Sequence, residues 1–184
     1  MNRYLPVKIA LTLMALCALP LAIMLTDSLV DQKAKWSVTP FDWRGADGRN
    51  YSLSDVQSPY ILLYMGYLSC DSVCPGRLSE LAKISRRVDL SLLRILFVTI
   101  DPERDTAEKR GEWIDSLGVM SAQLTQWQLE RLRIELKDTG NLKDNPDNHS
   151  DRLYLISNNG KVEAVFTANN VSSESLLEKM STSP

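Results

Sequence analysis

Residues 60–75 read YILLYMGYLSCDSVCP, an unbroken apolar run followed by a short polar loop that holds two cysteines and ends on a proline. The run Tyr60-Ile61-Leu62-Leu63-Tyr64-Met65 is rich in aromatic and branched side chains, which suits a strand buried on both faces. Ile95-Leu96-Phe97-Val98-Thr99-Ile100 is a second run of the same kind. Between them, Pro75 to Val88 has a helical pattern: Pro75 fits the first helical position, and Leu78, Leu81, Ala82, Ile84 and Ser85 share one face. Strand, helix, strand in this order predicts a parallel pair joined by a right-handed crossover.

Further along, Asp105-Thr106-Ala107-Glu108 and Thr125-Gln126-Trp127-Gln128 read as helix starts, the second a capping box by type and spacing. They predict helices over about residues 106–117 and 125–137. Arg152–Ser157 and Lys161–Thr167 flank Asn158-Asn159-Gly160, a hairpin turn signal, and Ser173–Met180 is a last amphipathic stretch. The order predicts an α/β, thioredoxin-like fold with a central mixed sheet. In that fold the loop after the first strand, the loop after the second and the start of the antiparallel strand share one edge. Cys70, Cys74, His149 and the Asp101-Pro102-Glu103-Arg104-Asp105 segment are therefore expected to converge there, where open sheets commonly form sites.

The whole chain has 184 residues, 44% of them apolar, with 21 basic against 23 acidic side chains. That balance excludes a disordered, collagenous or coiled-coil chain. A net charge of −2 gives no basic footprint, so nucleic acid is not an expected partner. Ile9 to Leu25 is 17 residues without a charge, near the lower limit for crossing a bilayer, preceded by Arg3 and Lys8 and followed by Asp27 and Asp31. The flanks orient residues 1–8 to the cytoplasm, with 9–25 as a transmembrane anchor, 26–35 as a tether and 36–184 as one domain outside. The rival reading is a cleaved signal peptide, but Thr26, Asp27 and Ser28 provide no A-x-A-like site. Cys17 follows the bulky Leu16 and reads as lipid-facing rather than lipidated.

Cys70 and Cys74 are then the only thiols outside the membrane, in an oxidising space where two neighbouring thiols form a disulfide, a redox couple or a metal site. Spacing alone leaves the pair open between a short-loop disulfide of small energetic value and a functional pair. Two thiolates with one imidazole suit Cu(I), whereas structural zinc wants four ligands and the domain has no third Cys or second His. A helix starting at Pro75 would favour thiolate over thiol, and Asp71 would oppose it. Taken alone, His149 reads as a solvated loop residue. Residues 101–110, DPERDTAEKR, read as an acidic helix start with a solvated face. Trp36, Trp43, Trp113 and Trp127 read as core or domain-surface packing.

Three segments together resemble the Sco/SenC proteins: Gly66-Tyr67-Leu68-Ser69-Cys70-Asp71-Ser72-Val73-Cys74-Pro75, then Phe97 to Thr106, then His149-Ser150 ahead of Leu153-Tyr154-Leu155-Ile156 and Gly160. The resemblance spans about residues 41 to 167. Leu68 stands where the family usually has Thr, and Asp71-Ser72 where it usually has Pro-Asp, which marks a divergent member. The resemblance implies a membrane-anchored metallochaperone that delivers copper to the binuclear copper centre of cytochrome c oxidase, by way of subunit II or another cuproprotein. It implies Cys70, Cys74 and His149 as copper ligands, with Asp101, Arg104 and Asp105 in a supporting, loop-fixing role. The placement it implies is a single pass through a bacterial inner membrane, with the domain on the periplasmic side and a periplasmic thiol reductant as second partner. The alternative is a thiol-disulfide reductase in which Cys70 and Cys74 act on the cysteines of a cuproprotein.

Overall fold

A computed structural model describes residues 36–69, 74–138, 150–167 and 171–182. The strands are β1 (Asp42–Arg44), β2 (Asn50–Ser52), β3 (Tyr60–Gly66), β4 (Leu93–Thr99), β5 (Met120–Ala122), β6 (Arg152–Ser157) and β7 (Val162–Thr167). The helices are α1 (Cys74–Ser85), α2 (Ala107–Trp113), α3 (Gln126–Glu135) and α4 (Ser173–Thr182). Among these described residues no helix is long and apolar enough to cross a membrane, and the proposed anchor at 9–25 lies outside them.

The architecture is mixed α/β around a five-stranded mixed sheet of order β5-β4-β3-β6-β7. As the two apolar runs predict, β3 and β4 are parallel neighbours, with Leu62 opposite Ile95 and Met65 opposite Val98. β6 runs antiparallel on the other side of β3, with Tyr64 opposite Leu153 and Tyr60 opposite Ser157. Side chains alternate between two cores. Leu62, Tyr64, Ile95 and Phe97 pack with Leu81 and Ile84 of α1 on one face. Ile61, Leu63, Met65, Leu96 and Val98 pack with Leu129, Leu132 and Leu136 from α3 and its end on the other. The central strands are thus covered on both sides, which is why their sequences are continuously apolar.

The local signals act as read. Thr106 and Thr125 cap α2 and α3, and Thr125 forms the full capping box with Gln128. Gly160 closes the β6–β7 turn at φ 87°. A Cβ there would meet the carbonyl oxygen of Val38 at 2.4 Å, so the position admits glycine alone. Two expectations are corrected and a third is narrowed. The helix predicted over 106–117 stops at Trp113 and continues as a short 3-10 turn, Asp115–Leu117. The predicted solvated face of 101–110 holds two fully buried charges, Asp105 and Arg110. Of the core and domain-surface readings, Trp113 and Trp127, 57% and 67% exposed, take the surface one.

Candidate metal centre

β3 and β4 end, and β6 begins, at one sheet edge: Tyr64 pairs with both Phe97 and Leu153, and the amide of Ile100 donates to the Gly66 carbonyl. Gly66 is required at this turn because a Cβ would lie 2.7 Å from the Tyr64 ring and 3.3 Å from Phe97. The chain then passes through buried Tyr67 and half-buried Leu68 toward the cysteine loop. The amide of Leu68 donates to both carboxylate oxygens of Asp105, at 3.1 and 3.2 Å. Asp105 also accepts from the Thr99 hydroxyl at 2.6 Å, and Thr99 Oγ1 accepts from the Asp101 amide at 3.1 Å. One buried carboxylate therefore fastens the residue two places before Cys70 to the end of β4. This is a loop-fixing geometry for Asp105. Burial raises its carboxyl above the ordinary range, against the lowering effect of Thr99 and Leu68.

Asp101 and Arg104 form a close ion pair across the turn. The Arg104 guanidinium also lies 5.9 Å from the centre of the Tyr67 ring, so this pair, exposed on the arginine side, sits over the start of the same loop. Cys74 is the first residue of α1, which puts its backbone at the positive end of a three-turn helix. Cys70 and His149 lie outside the described residues, as does the side chain of Cys74. Among the described residues no three His, Cys, Asp or Glu side chains form a group that could hold a metal.

A second link, absent from the sequence reading, joins the two flanks. Arg77, three residues after Cys74, is buried to 2% exposure of its side chain and donates from Nε and Nη2 to the two oxygens of Asp151, at 2.9 and 2.8 Å. Asp151 stands two residues after His149. Nη1 of Arg77 pairs with Glu80 on the next turn of α1. Burial pushes the guanidinium pKa down, but the two carboxylates outweigh it and hold it above its ordinary value. The first turn of α1 is thereby clamped to the start of β6 by a planar two-point contact. The available signal was a basic residue three places after one candidate ligand and an acidic residue two places after another.

A cleft of about 330 Å³ beside the N-terminal end of β4, lined by Trp43, Tyr51, Arg94, Asp115 and Ser121 among others, shares no residue with this constellation.

The comparisons with known proteins agree with the topology. A model of the SCO1/SenC family matches residues 30–183. The mitochondrial SCO2 homolog of Bos taurus is 28% identical over 125 residues, covering 61% of this chain and 47% of that protein, so the chain spans about half the length of that relative. A crystal structure of Arabidopsis thaliana ScoI with copper bound superposes with a TM-score of 0.66 at 18% identity, covering 79% of this chain and 99% of that one. BsSco, described as a Sco-family cytochrome c oxidase assembly protein with a disulfide switch, gives 0.68 at 17% identity over 84% and 96%. At such identities the structures share a fold with this protein. The match over residues 30–183 shows that the chain belongs to the SCO1/SenC family.

Proposed function

We propose that this protein is a membrane-anchored copper metallochaperone that carries Cu(I) on Cys70, Cys74 and His149 and passes it to the binuclear copper centre of cytochrome c oxidase. Its copper-bound structural neighbour and the oxidase-assembly role stated for BsSco support copper as the cargo. The observation that carries the reading is the Arg77–Asp151 clamp, which ties the flank of Cys74 to the flank of His149. The Asp105 anchor on Leu68 ties the flank of Cys70 to the end of β4 at the same sheet edge.

In this reading the N-terminus of α1 favours the Cys74 thiolate, and two thiolates with one imidazole make a soft, low-coordinate set suited to Cu(I). Release proceeds by stepwise exchange with thiolates and imidazoles of the acceptor, subunit II or another cuproprotein. A Cys70–Cys74 disulfide has no thiolate to offer, so a periplasmic thiol reductant sets the loading state. The anchor at 9–25 places the domain on the periplasmic side of the inner membrane.

The test separates transport from disulfide chemistry, because copper needs the imidazole and thiol exchange does not. A strain carrying His149→Ala is expected to lose oxidase activity as Cys70→Ser and Cys74→Ser strains do, with partial rescue by added copper. If His149→Ala behaves as wild type while either cysteine change is defective, the protein is a thiol-disulfide reductase instead.

A further inference from the structure

Helix α3 has an apolar inner face and an outer face on which two large apolar side chains stand among charged ones. Leu129 and Leu132, with Leu136 just beyond, face the core. Outward, Trp127 and Ile134 are 67% and 69% exposed and stand two turns apart on one face. Arg131 lies between them with its guanidinium 4.7 Å from the centre of a Trp127 ring. The other large exposed apolar side chains among the described residues, Tyr51, Leu92, Trp113 and Leu177, stand singly on other segments. Single exposed apolar residues need no explanation, whereas two aligned on one helix face offer a contact surface.

The position of this face in the chain indicates what covers it. The first described residues run against the C-terminal half of α3. Lys137 Nζ sits 4.3 Å over the Trp36 ring, the amide and hydroxyl of Thr39 donate to the Glu135 carboxylate at 2.8 and 2.7 Å, and the Pro40 carbonyl accepts from Arg131. Only residues 26–35 separate Trp36 from the apolar run ending at Leu25. Ten residues span at most about 35 Å fully extended and about 18 Å as a flexible coil. Charge on the face is compatible with headgroups. Glu130 is paired to Arg133 at 3.2 Å and Glu135 approaches Arg131 at 4.0 Å, while Lys137 adds a cation.

We propose that the outward face of α3 rests on the lipid surface, with Trp127 and Ile134 at the headgroup boundary and Lys137 against anionic headgroups. This rests on the anchored reading of residues 9–25. Because Arg152 at the start of β6 donates to the Lys137 carbonyl, the docked helix would hold the metal-binding edge of the sheet near the bilayer, where a membrane-embedded acceptor presents its site.

The full chain, reconstituted in nanodiscs of phosphatidylcholine and phosphatidylglycerol, tests the proposal through quenching of tryptophan emission by lipids brominated near the top of the acyl chains. The apolar run contains no tryptophan, so emission comes from Trp36, Trp43, Trp113 and Trp127 alone. The expected result is bromine-dependent quenching in wild type that Trp127→Phe largely removes. Ile134→Glu keeps the Trp127 reporter, touches no buried group and is expected to lower the quenching while the circular dichroism stays unchanged. Failure of the chain to remain with the disc would overturn the anchor. Retention with no quenching assignable to Trp127 would overturn the docking alone. Protection of Trp127 that depends on protein copies per disc rather than on bromine would place a second copy there and overturn the lipid assignment.

Discussion

Replacing Arg77 with methionine keeps an unbranched apolar stem and most of the volume of the side chain, at shorter reach, while deleting the guanidinium that clamps α1 to β6. The cost follows from who is buried. The Arg77 side chain is 2% exposed, but its partners Asp151 and Glu80 retain 25% and 28% exposure. Removing the cation leaves two carboxylates that water can reach, and methionine retains the packing of the stem, so Arg77→Met is expected to cost only about 1–2 kcal/mol. Asp151→Ala is the harsher change. It leaves a buried guanidinium with Glu80 alone and forfeits both charge-assisted bonds, at about 3 kcal/mol or more. Function follows a different order, because either variant frees the start of β6 from the first turn of α1. Both are expected to weaken Cu(I) retention roughly 10–100-fold, as loss of an outer-shell support does elsewhere. Urea unfolding at neutral pH gives the stabilities, and competition with a Cu(I) chelator gives retention. An Arg77→Met protein that is less stable than Asp151→Ala, or that holds copper as wild type does, would refute the reasoning.

Two further outcomes follow from single positions. The Asp105 carboxyl is raised by burial, so the folded protein holds its proton more tightly than the unfolded chain, whose ordinary value is 3.8. Its stabilising contribution is therefore full below that value and lost as pH rises through the raised one. The stability advantage of wild type over Asp105→Asn should shrink across that window in urea titrations, and parallel pH profiles would contradict the assignment. Gly160→Ala combines left-handed strain with a backbone clash against Val38. It is expected to lower the thermal midpoint by at least about 4 °C, and an unchanged midpoint would show that the Trp36–Val38 segment does not depend on this turn.

The sequence exposes what depends on long patterns and hides what depends on partners. β3 and β4 are legible because each is buried on both faces and so continuously apolar, and α3 because Thr125 and Gln128 form a capping box. The hairpin of β6 and β7 is legible from Asn158-Asn159-Gly160. β1, β2 and β5 escape notice because three residues each carry no period, and β5 is recognisable only through its pairing with Leu96, Phe97 and Val98. At the site, the sequence brings the right segments to one edge but misjudges the charges. Asp105 resembles an exposed helix-start acid until Thr99 and Leu68 supply its partners. Arg77 resembles a solvated helix residue until Asp151, seventy-four positions away, supplies its own. The same blindness to distance affects Trp127, which fits core or surface by residue type and is exposed by position.

Titration of the protein with Cu(I) in the presence of a competing chelator, in the dithiol and disulfide forms and with His149→Ala alongside, shows whether Cys70, Cys74 and His149 together hold copper. One Cu(I) per chain is expected for the dithiol form, none for the Cys70–Cys74 disulfide, and for His149→Ala a retention weaker by roughly tenfold or more. Equal uptake by the disulfide form, or wild-type retention without the imidazole, would contradict it.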